Sequence, residues 1–243
     1  MLYRNIVYHD IAYRDGADRA VIRKGCHMDI FTTERLIIRR FVPDDRRDLH
    51  EYLSREEVVR FEPYNVYDED ASRKEAVRRA SDDNFWAVCL KTSGTGTVRS
   101  GPGRPWAAMP NAESMEKSGD CVCGKLIGNI YLSAMGHGTW ELGYVFNDGY
   151  WGRGYATEAA RALLCDVFVN RGARRVTAMC NPQNISSWKL LERLGMRREG
   201  NLVRNVSFKK DAAGRSIWQD TYEYAILAEE WNEHRRSGFT RRR

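Results

Sequence analysis

Residues 149–160, GYWGRGYATEAA, place Gly149, Gly152 and Gly154 within six positions and then run at once into an alanine-rich apolar stretch. A bend this poor in side chains, directly ahead of a helix, restricts the chain more than any other segment. From Tyr155 onward apolar residues recur at Ala156, Ala159, Ala160, Leu163, Leu164, Val167 and Phe168, the spacing of one helical face, and Asn170 to Gly172 supply the stop. TWELGYVF (139–146), just before the bend, reads as a strand. Strand, glycine turn and helix start together leave unpaired N–H groups at the positive end of a helix dipole, which is a setting for an anion. The three glycines permit positive φ and let a phosphate approach the main chain, and Arg153 adds a charge-assisted contact. A plain tight turn, using glycine only for its geometry, is the competing reading. The segment is no GxxxxGK[ST] loop, since Tyr155 follows Gly154 where lysine is required. Nor is it a dinucleotide fingerprint, which wants glycine where Thr157 stands.

Around this turn the pattern is that of one α/β domain. Leu36 to Ile38 make a short strand, the stretch 44–58 has helical spacing through Leu49, Tyr52 and Leu53, and a second helix spans about Ser72 to Ala80. FWAVCL (85–90) is a strand, and 124–134 forms a hairpin with 139–146 through MGHG. Beyond the glycine turn the sequence predicts a helix from Tyr155, a strand at 174–180, a helix from Ser186 to Leu194, and closing strands at 197–206 and 218–227. The order implies a mixed sheet with helices on both faces. Residues 1–28 read as an extension outside the fold, 29–231 as the domain, 92–120 as a Gly/Ser/Pro-rich insertion, and 232–243 as a basic tail.

Composition bounds the partners. The 243 residues are 42% hydrophobic and carry a net charge of +6. That excess lies entirely in residues 1–28 and 232–243, so 29–231 is neutral and nucleic-acid contact is not expected beyond the tail. No apolar run suits a membrane span or a secretory signal, so a cytoplasmic location is the expectation. Cys121 and Cys123 are the close cysteine pair, and without a second ligand cluster no metal site is expected.

ELGYVFNDGYWGRGYATEAARALL followed by NPQNISSWKLLERLGM resembles the acyl-CoA-binding half of the GNAT superfamily of N-acetyltransferases, in the Rim-type branch that acetylates ribosomal-protein N-termini. TERLIIRRFVPDD at the start and WQDTYEYAILAEEW at the end resemble the same branch. The resemblance implies one GNAT-like domain whose mostly antiparallel mixed sheet splays open at a cofactor cleft. It implies acetyl-CoA as co-substrate, with its pyrophosphate on the turn formed by Gly149, Trp151, Gly152, Arg153, Gly154, Tyr155 and Ala156. The pantetheine arm would lie along Leu142, Tyr144, Val145 and Phe146. Gly149 departs from the family pattern, which often has Gln or Arg there. Asn184 and Ser187 fall where the family turns Asn and Ser toward the cofactor, with helix capping, by Ser186 or Asn184, as the alternative role of this segment.

Acetyl transfer to an amine needs a neutral nucleophile, a donor to the developing oxyanion and a proton for the leaving thiolate. By the resemblance a β-bulge at Tyr144 and Val145 would free the Val145 amide for the oxyanion. Glu141, on the strand beside the cleft, is the candidate base, with a solvent-facing cross-strand partner as the alternative. Ser187 is the candidate donor to the thiolate, and Glu62 and Tyr64 would line the acceptor side. The acceptor expected is a protein or peptide α-amino group. A small amine such as an antibiotic or polyamine, or a non-catalytic acyl-CoA-binding role, stays open, as does monomer against homodimer.

Overall fold

The computed structural model describes residues 30–92 and 122–237. The expected extension at 1–28, nearly all of the insertion, Cys121 and the end of the tail lie outside these residues. Eight strands form one sheet: β1 (Ile30–Thr32), β2 (Leu36–Arg40), β3 (Phe85–Thr92), β4 (Val122–Gly136), β5 (Thr139–Phe146), β6 (Arg175–Cys180), β7 (Arg197–Lys210) and β8 (Ser216–Leu227). Their spatial order is β1-β2-β3-β4-β5-β6-β8-β7. Every neighbouring pair is antiparallel except β5 and β6. That is the mixed, mostly antiparallel sheet the sequence implies.

Period-two alternation along the strands sorts side chains onto two faces. Leu36, Ile38, Trp86, Val88, Ile130, Leu132, Leu142 and Phe146 share a core with α4 (Tyr155–Val169), α5 (Ile185–Arg193) and Trp231 of α6 (Ala228–Arg236). Phe85, Ala87, Cys89 and Leu126 face the other way and pack under α1 (Arg46–Leu53), α2 (Glu56–Val59) and α3 (Glu69–Ala80).

The stretch 44–58 is divided rather than continuous: a 3-10 turn at Pro43–Asp45 precedes α1, and a break at Ser54–Arg55 separates α1 from α2. α3 begins at Glu69, ahead of the expected Ser72, because the Asp68 carboxylate accepts the Ala71 amide at 2.7 Å as its N-cap. Two elements have no counterpart in the sequence pattern. β1 is only three residues long, and α6 lies where apolar periodicity is weak. Helix α6 is ordered instead by Glu229 and Glu230 in its first turn, by Arg235 and Arg236 in its last, and by Trp231 stacked on Phe168 at 5.5 Å. Residues 232–236 therefore complete a helix and do not belong to a tail.

The parallel pair holds the geometry that matters for function. β5 pairs with β6 only from Thr139–Arg175 to Glu141–Thr177, whereas β5 continues to Phe146 and β6 to Cys180. Beyond Glu141 the two strands part, and the sheet opens in its middle.

Candidate active site

A cavity of about 980 Å³ fills this opening. Its walls include Leu142, Tyr144, Val145 and Phe146 from β5, Met179 and Cys180 from the end of β6, and Asn184 and Ser187 from the start of α5. At one end stand Trp151, Gly152, Arg153, Gly154, Ala156 and Thr157; at the other stand Glu62, Tyr64, Arg79 and Tyr131. The tip of the β7–β8 arm closes the side through Phe208 and Asp220. Lys209 ties that arm to α2, its Nζ lying 3.3 Å from Glu56 Oε1. The arm, Arg79 and Tyr131 carry no signal in the sequence that marks them for the site.

The glycine turn is an exposed row of amides. Gly152 and Gly154 have φ of +73° and +81°, a region that disfavours side chains, and the space where a Gly152 Cβ would project is open. Among the described residues, the N–H groups from Gly152 to Thr157 have no partner, and the first helical bond runs from Glu158 N to Gly154 O. Arg153 and Arg193 line this end of the cavity, so orphan donors, helix dipole and cations converge. These residues fit a diphosphate.

Gly149 departs from expectation: its φ is not positive, its amide donates to Asn147 Oδ1 at 3.0 Å, and it lies outside the cavity wall. Its smallness instead spares that oxygen, which a Cβ would approach to 3.3 Å. The Tyr155 side chain also lies outside the wall, under the Arg35 guanidinium at 4.5 Å. The Trp151 indole lines the cavity and holds the turn, donating Nε1–H to Phe146 O at 2.8 Å.

Arg35 fastens the turn from behind. Glu158 accepts from Thr33 Oγ1 at 2.6 Å, Arg35 N at 2.9 Å and Arg35 Nε at 2.7 Å, while Arg35 Nη1 donates to Arg153 O at 3.0 Å. Burial pushes the Glu158 carboxyl up, but the Thr33 and Arg35 hydrogen bonds outweigh it and leave the group below its ordinary value. Two residues of the TERL stretch, Thr33 and Arg35, thereby fix one carbonyl of the turn, which orients the amides beside it.

The expected bulge at Tyr144 and Val145 is not present: β5 pairs with β4 without interruption from Gly128–Phe146 to Ala134–Trp140. Asn147 N continues that ladder to Ile127 O at 2.9 Å. Backbone groups alternate in direction along a strand, so the Val145 amide also turns toward β4. The Tyr144 and Phe146 amides point into the opening, where no strand pairs with them. The same phase brings the Trp140 carbonyl to Thr177 Oγ1 at 3.3 Å.

Glu141 is likewise displaced from its expected place. It lies between Ser133 on β4 and Thr177 on β6, where the sheet is still closed, and outside the cavity wall. Burial raises its pKa, yet nothing brings it to a reacting atom. Glu62 is in the wall. Burial pushes its carboxyl up to about 7, against the Arg79 cation and a hydrogen bond from the Tyr64 side chain. Tyr144 reaches from β5 to α5, its hydroxyl 2.9 Å from Ser187 Oγ and 3.0 Å from Ser187 O. Burial raises the Tyr144 pKa, so the phenol keeps its proton. Asn184 caps α5, its Oδ1 accepting Ser187 N at 3.2 Å. Cys180 lines the same wall with its thiol pushed up to about 11 by burial, so it is held as a protonated thiol and not as a nucleophile.

Residues 35–197 match the acetyltransferase (GNAT) domain family. The chain belongs to the GNAT family of N-acetyltransferases. It is 34% identical over 203 residues to an uncharacterized N-acetyltransferase, YnaD, of Bacillus subtilis, a match covering 83% of this chain and 98% of that one. A GNAT-family acetyltransferase structure from Bacillus anthracis is 31% identical, has a TM-score of 0.62, and covers 82% of this chain and 99% of its own. The ribosomal-protein-S5-alanine acetyltransferase of Vibrio fischeri shares the fold at 15% identity with a TM-score of 0.58, over 83% of this chain and 98% of its own. Acetyl-CoA is the donor this family uses, and the splayed GNAT sheet carries the turn suited to it. Among the described residues there is no cluster of His, Cys, Asp or Glu that could hold a metal, and no helix long and apolar enough to cross a membrane.

Proposed function

We propose that this GNAT enzyme acetylates a primary amine by direct attack, with a protein or peptide α-amino group as acceptor. The observation that carries the proposal is a single cavity with an amide-rich turn at one end and a carboxyl tuned near neutrality at the other. Bound acetyl-CoA supplies the activated thioester. The amides of Gly152 to Thr157, with Arg153 and Arg193, hold its diphosphate, and Leu142 to Phe146 border its arm. At the acceptor end Glu62 takes the proton of the incoming ammonium, leaving a neutral nitrogen to attack the carbonyl carbon. The Tyr144 amide donates to the carbonyl oxygen as charge develops there. As the carbon–sulfur bond breaks, the Ser187 hydroxyl, backed by the Tyr144 phenol, hydrogen-bonds the leaving thiolate, which takes up the proton that the nitrogen sheds as the amide forms. The base assignment thus passes from Glu141 to Glu62, and the oxyanion donor from Val145 to Tyr144. A protein acceptor is supported by the TERLIIRRFVPDD resemblance and by the fold shared with the ribosomal-protein acetyltransferase. Mass spectrometry after incubation with acetyl-CoA, a panel of peptides with free N-termini and a panel of small amines tests the proposal. Acetylated peptide N-termini are expected; acetylation confined to small amines would move the acceptor class, and no acetylated product from folded protein would overturn the proposal.

A further inference from the structure

Gly143 stands in the middle of β5, and nothing in the backbone asks for glycine there. Its φ is not positive, and a Cβ built on it would lie 3.5 Å from Tyr131 Cβ and 3.8 Å from Tyr131 Cδ1, which are ordinary contacts. Among the described residues outside its chain neighbours, no other atom comes within 4 Å of that point. Gly128 of β4 is the contrast: a Cβ there would meet the Phe146 ring at 2.5 Å, so packing demands the glycine. A glycine inside a strand costs stability, and one that neither backbone nor packing demands leaves room for something else to approach.

Across the sheet Gly143 ends an aromatic row. It faces Tyr131 of β4, which faces Phe85 of β3, the two rings 5.1 Å apart and tilted by 58°. On the far side of Gly143 no strand follows, because β5 and β6 pair only as far as Glu141–Thr177. The row therefore runs out at the rim of the opening, one residue from the Tyr144 amide. Gly143, Tyr131, Phe85 and Val145 line the cavity that Glu62 and Tyr64 also line. Tyr131, Val145 and Tyr64 pack on the core cluster under α1, α2 and α3, which puts them on the sheet face away from α4 and α5. Alternation along β5 gives Gly143 the same face as Val145. The space over Gly143 is thus an apolar slot with an aromatic wall, open to the cavity.

We propose that this slot takes the first side chain of the acceptor, so that the enzyme prefers α-amino groups whose neighbouring carbon carries an aromatic or large aliphatic group. The inference rests on the peptide α-amino reading above and adds the first residue to it. One carbon separates an α-amino nitrogen from its side chain, so a nitrogen attacking a thioester held at the Tyr144 amide brings that side chain beside residue 143. A large apolar group there buries its surface against Tyr131, whereas a methyl leaves the slot unfilled.

The test uses the full chain, acetyl-CoA and peptides that differ only in a first residue of Phe, Leu or Ala. The kcat/KM for the Phe and Leu peptides is expected to exceed that for the Ala peptide by about tenfold or more. Gly143→Val fills the slot and is expected to bring this ratio to about one or below, with Gly143→Ala lowering it partway. Comparing two peptides on one protein cancels any general loss of activity. Equal values across the series in the wild type would overturn the slot and leave peptide acetylation standing. So would a ratio that Gly143→Val leaves unchanged, or that Gly143→Ala leaves unchanged if the valine variant does not fold. Variants that change the choice between acetyl-CoA and butyryl-CoA but not the peptide ratio would give the slot to the acyl chain and also overturn it. No acetylated peptide from folded wild type would overturn the α-amino reading and the slot with it.

Discussion

Glu62 has two properties of a general base at neutral pH: it faces the cavity, and burial carries its carboxyl up to about 7. A base must be unprotonated to act. The expected profile of kcat/KM therefore rises with pH and levels off above about 7, with activity falling away below that value as Glu62 is protonated. Glu62→Gln is expected to lower kcat by about a hundredfold to a thousandfold while leaving KM for acetyl-CoA unchanged, and to remove that rising limb. Steady-state kinetics across pH check it, and Glu141→Gln, remote from the cavity, is the control expected to keep the limb. The two acids show what was legible at this scale. The strand position of Glu141 is readable from alternation. Its distance from the cleft depends on where β5 and β6 part, which no local pattern records. Glu62 had only its place in a loop after a helix, and its tuning comes from burial, opposed by Arg79 and Tyr64, all of it set by tertiary packing.

Among the elements, the glycine turn was the most legible and its support the least. The change from a strand period to a helix period across three glycines is local, and so is the excess of unpaired amides. The β1–β2 turn that braces it lies more than a hundred residues earlier in the chain, and the Arg35–Glu158 contact has no signature until the fold closes. Loss of that brace should be measurable. Arg35→Ala frees the Arg153 carbonyl and is expected to raise KM for acetyl-CoA about fivefold to tenfold with kcat nearly unchanged, Arg35→Lys restoring part of it. Arg35 is well exposed, so thermal stability should change little. The β5 edge shows the same division. Its strand character was evident from TWELGYVF, but which amide faces the opening depends on hydrogen-bond phase, set by Asn147 and Ile127, and that phase turns Tyr144 toward it and Val145 away.

For the whole molecule, the end of the cavity lined by Glu62 and Tyr64 is also the place where the second core is least apolar. Arg79 is almost fully buried. It donates to Glu75 Oε1 at 2.7 Å and Asn129 Oδ1 at 2.8 Å, and Tyr52 OH reaches the same Asn129 oxygen at 2.9 Å. Burial alone would push the Glu75 carboxyl up, but hydrogen bonds from Arg78 and the charge of Arg79 leave it below its ordinary value. A depressed acid stabilises the fold above its unfolded pKa and loses that contribution as pH falls through its folded value. Glu75→Gln leaves Arg79 a buried cation short of its counter-charge and is expected to cost roughly 3–5 kcal/mol near neutrality, less so in acid, read from denaturant unfolding at several pH values. The fold class, two-faced sheet and family were all accessible from hydrophobic patterning and a few ordered motifs. The buried polar network, the β7–β8 wall and the C-terminal helix were not, because each is specified by pairings between distant segments.

The proposed chemistry rests on main-chain amides holding a diphosphate, and isothermal titration of acetyl-CoA into the wild-type protein and Gly152→Val tests that hold most directly. The wild type should bind, gaining about 2.7 kcal/mol of stability at a hundredfold excess over Kd, and the folded variant should bind at least about tenfold more weakly, because valine disfavours the +73° φ and projects into the open space. Equal affinity in the two proteins, or no binding by folded wild type, would contradict it.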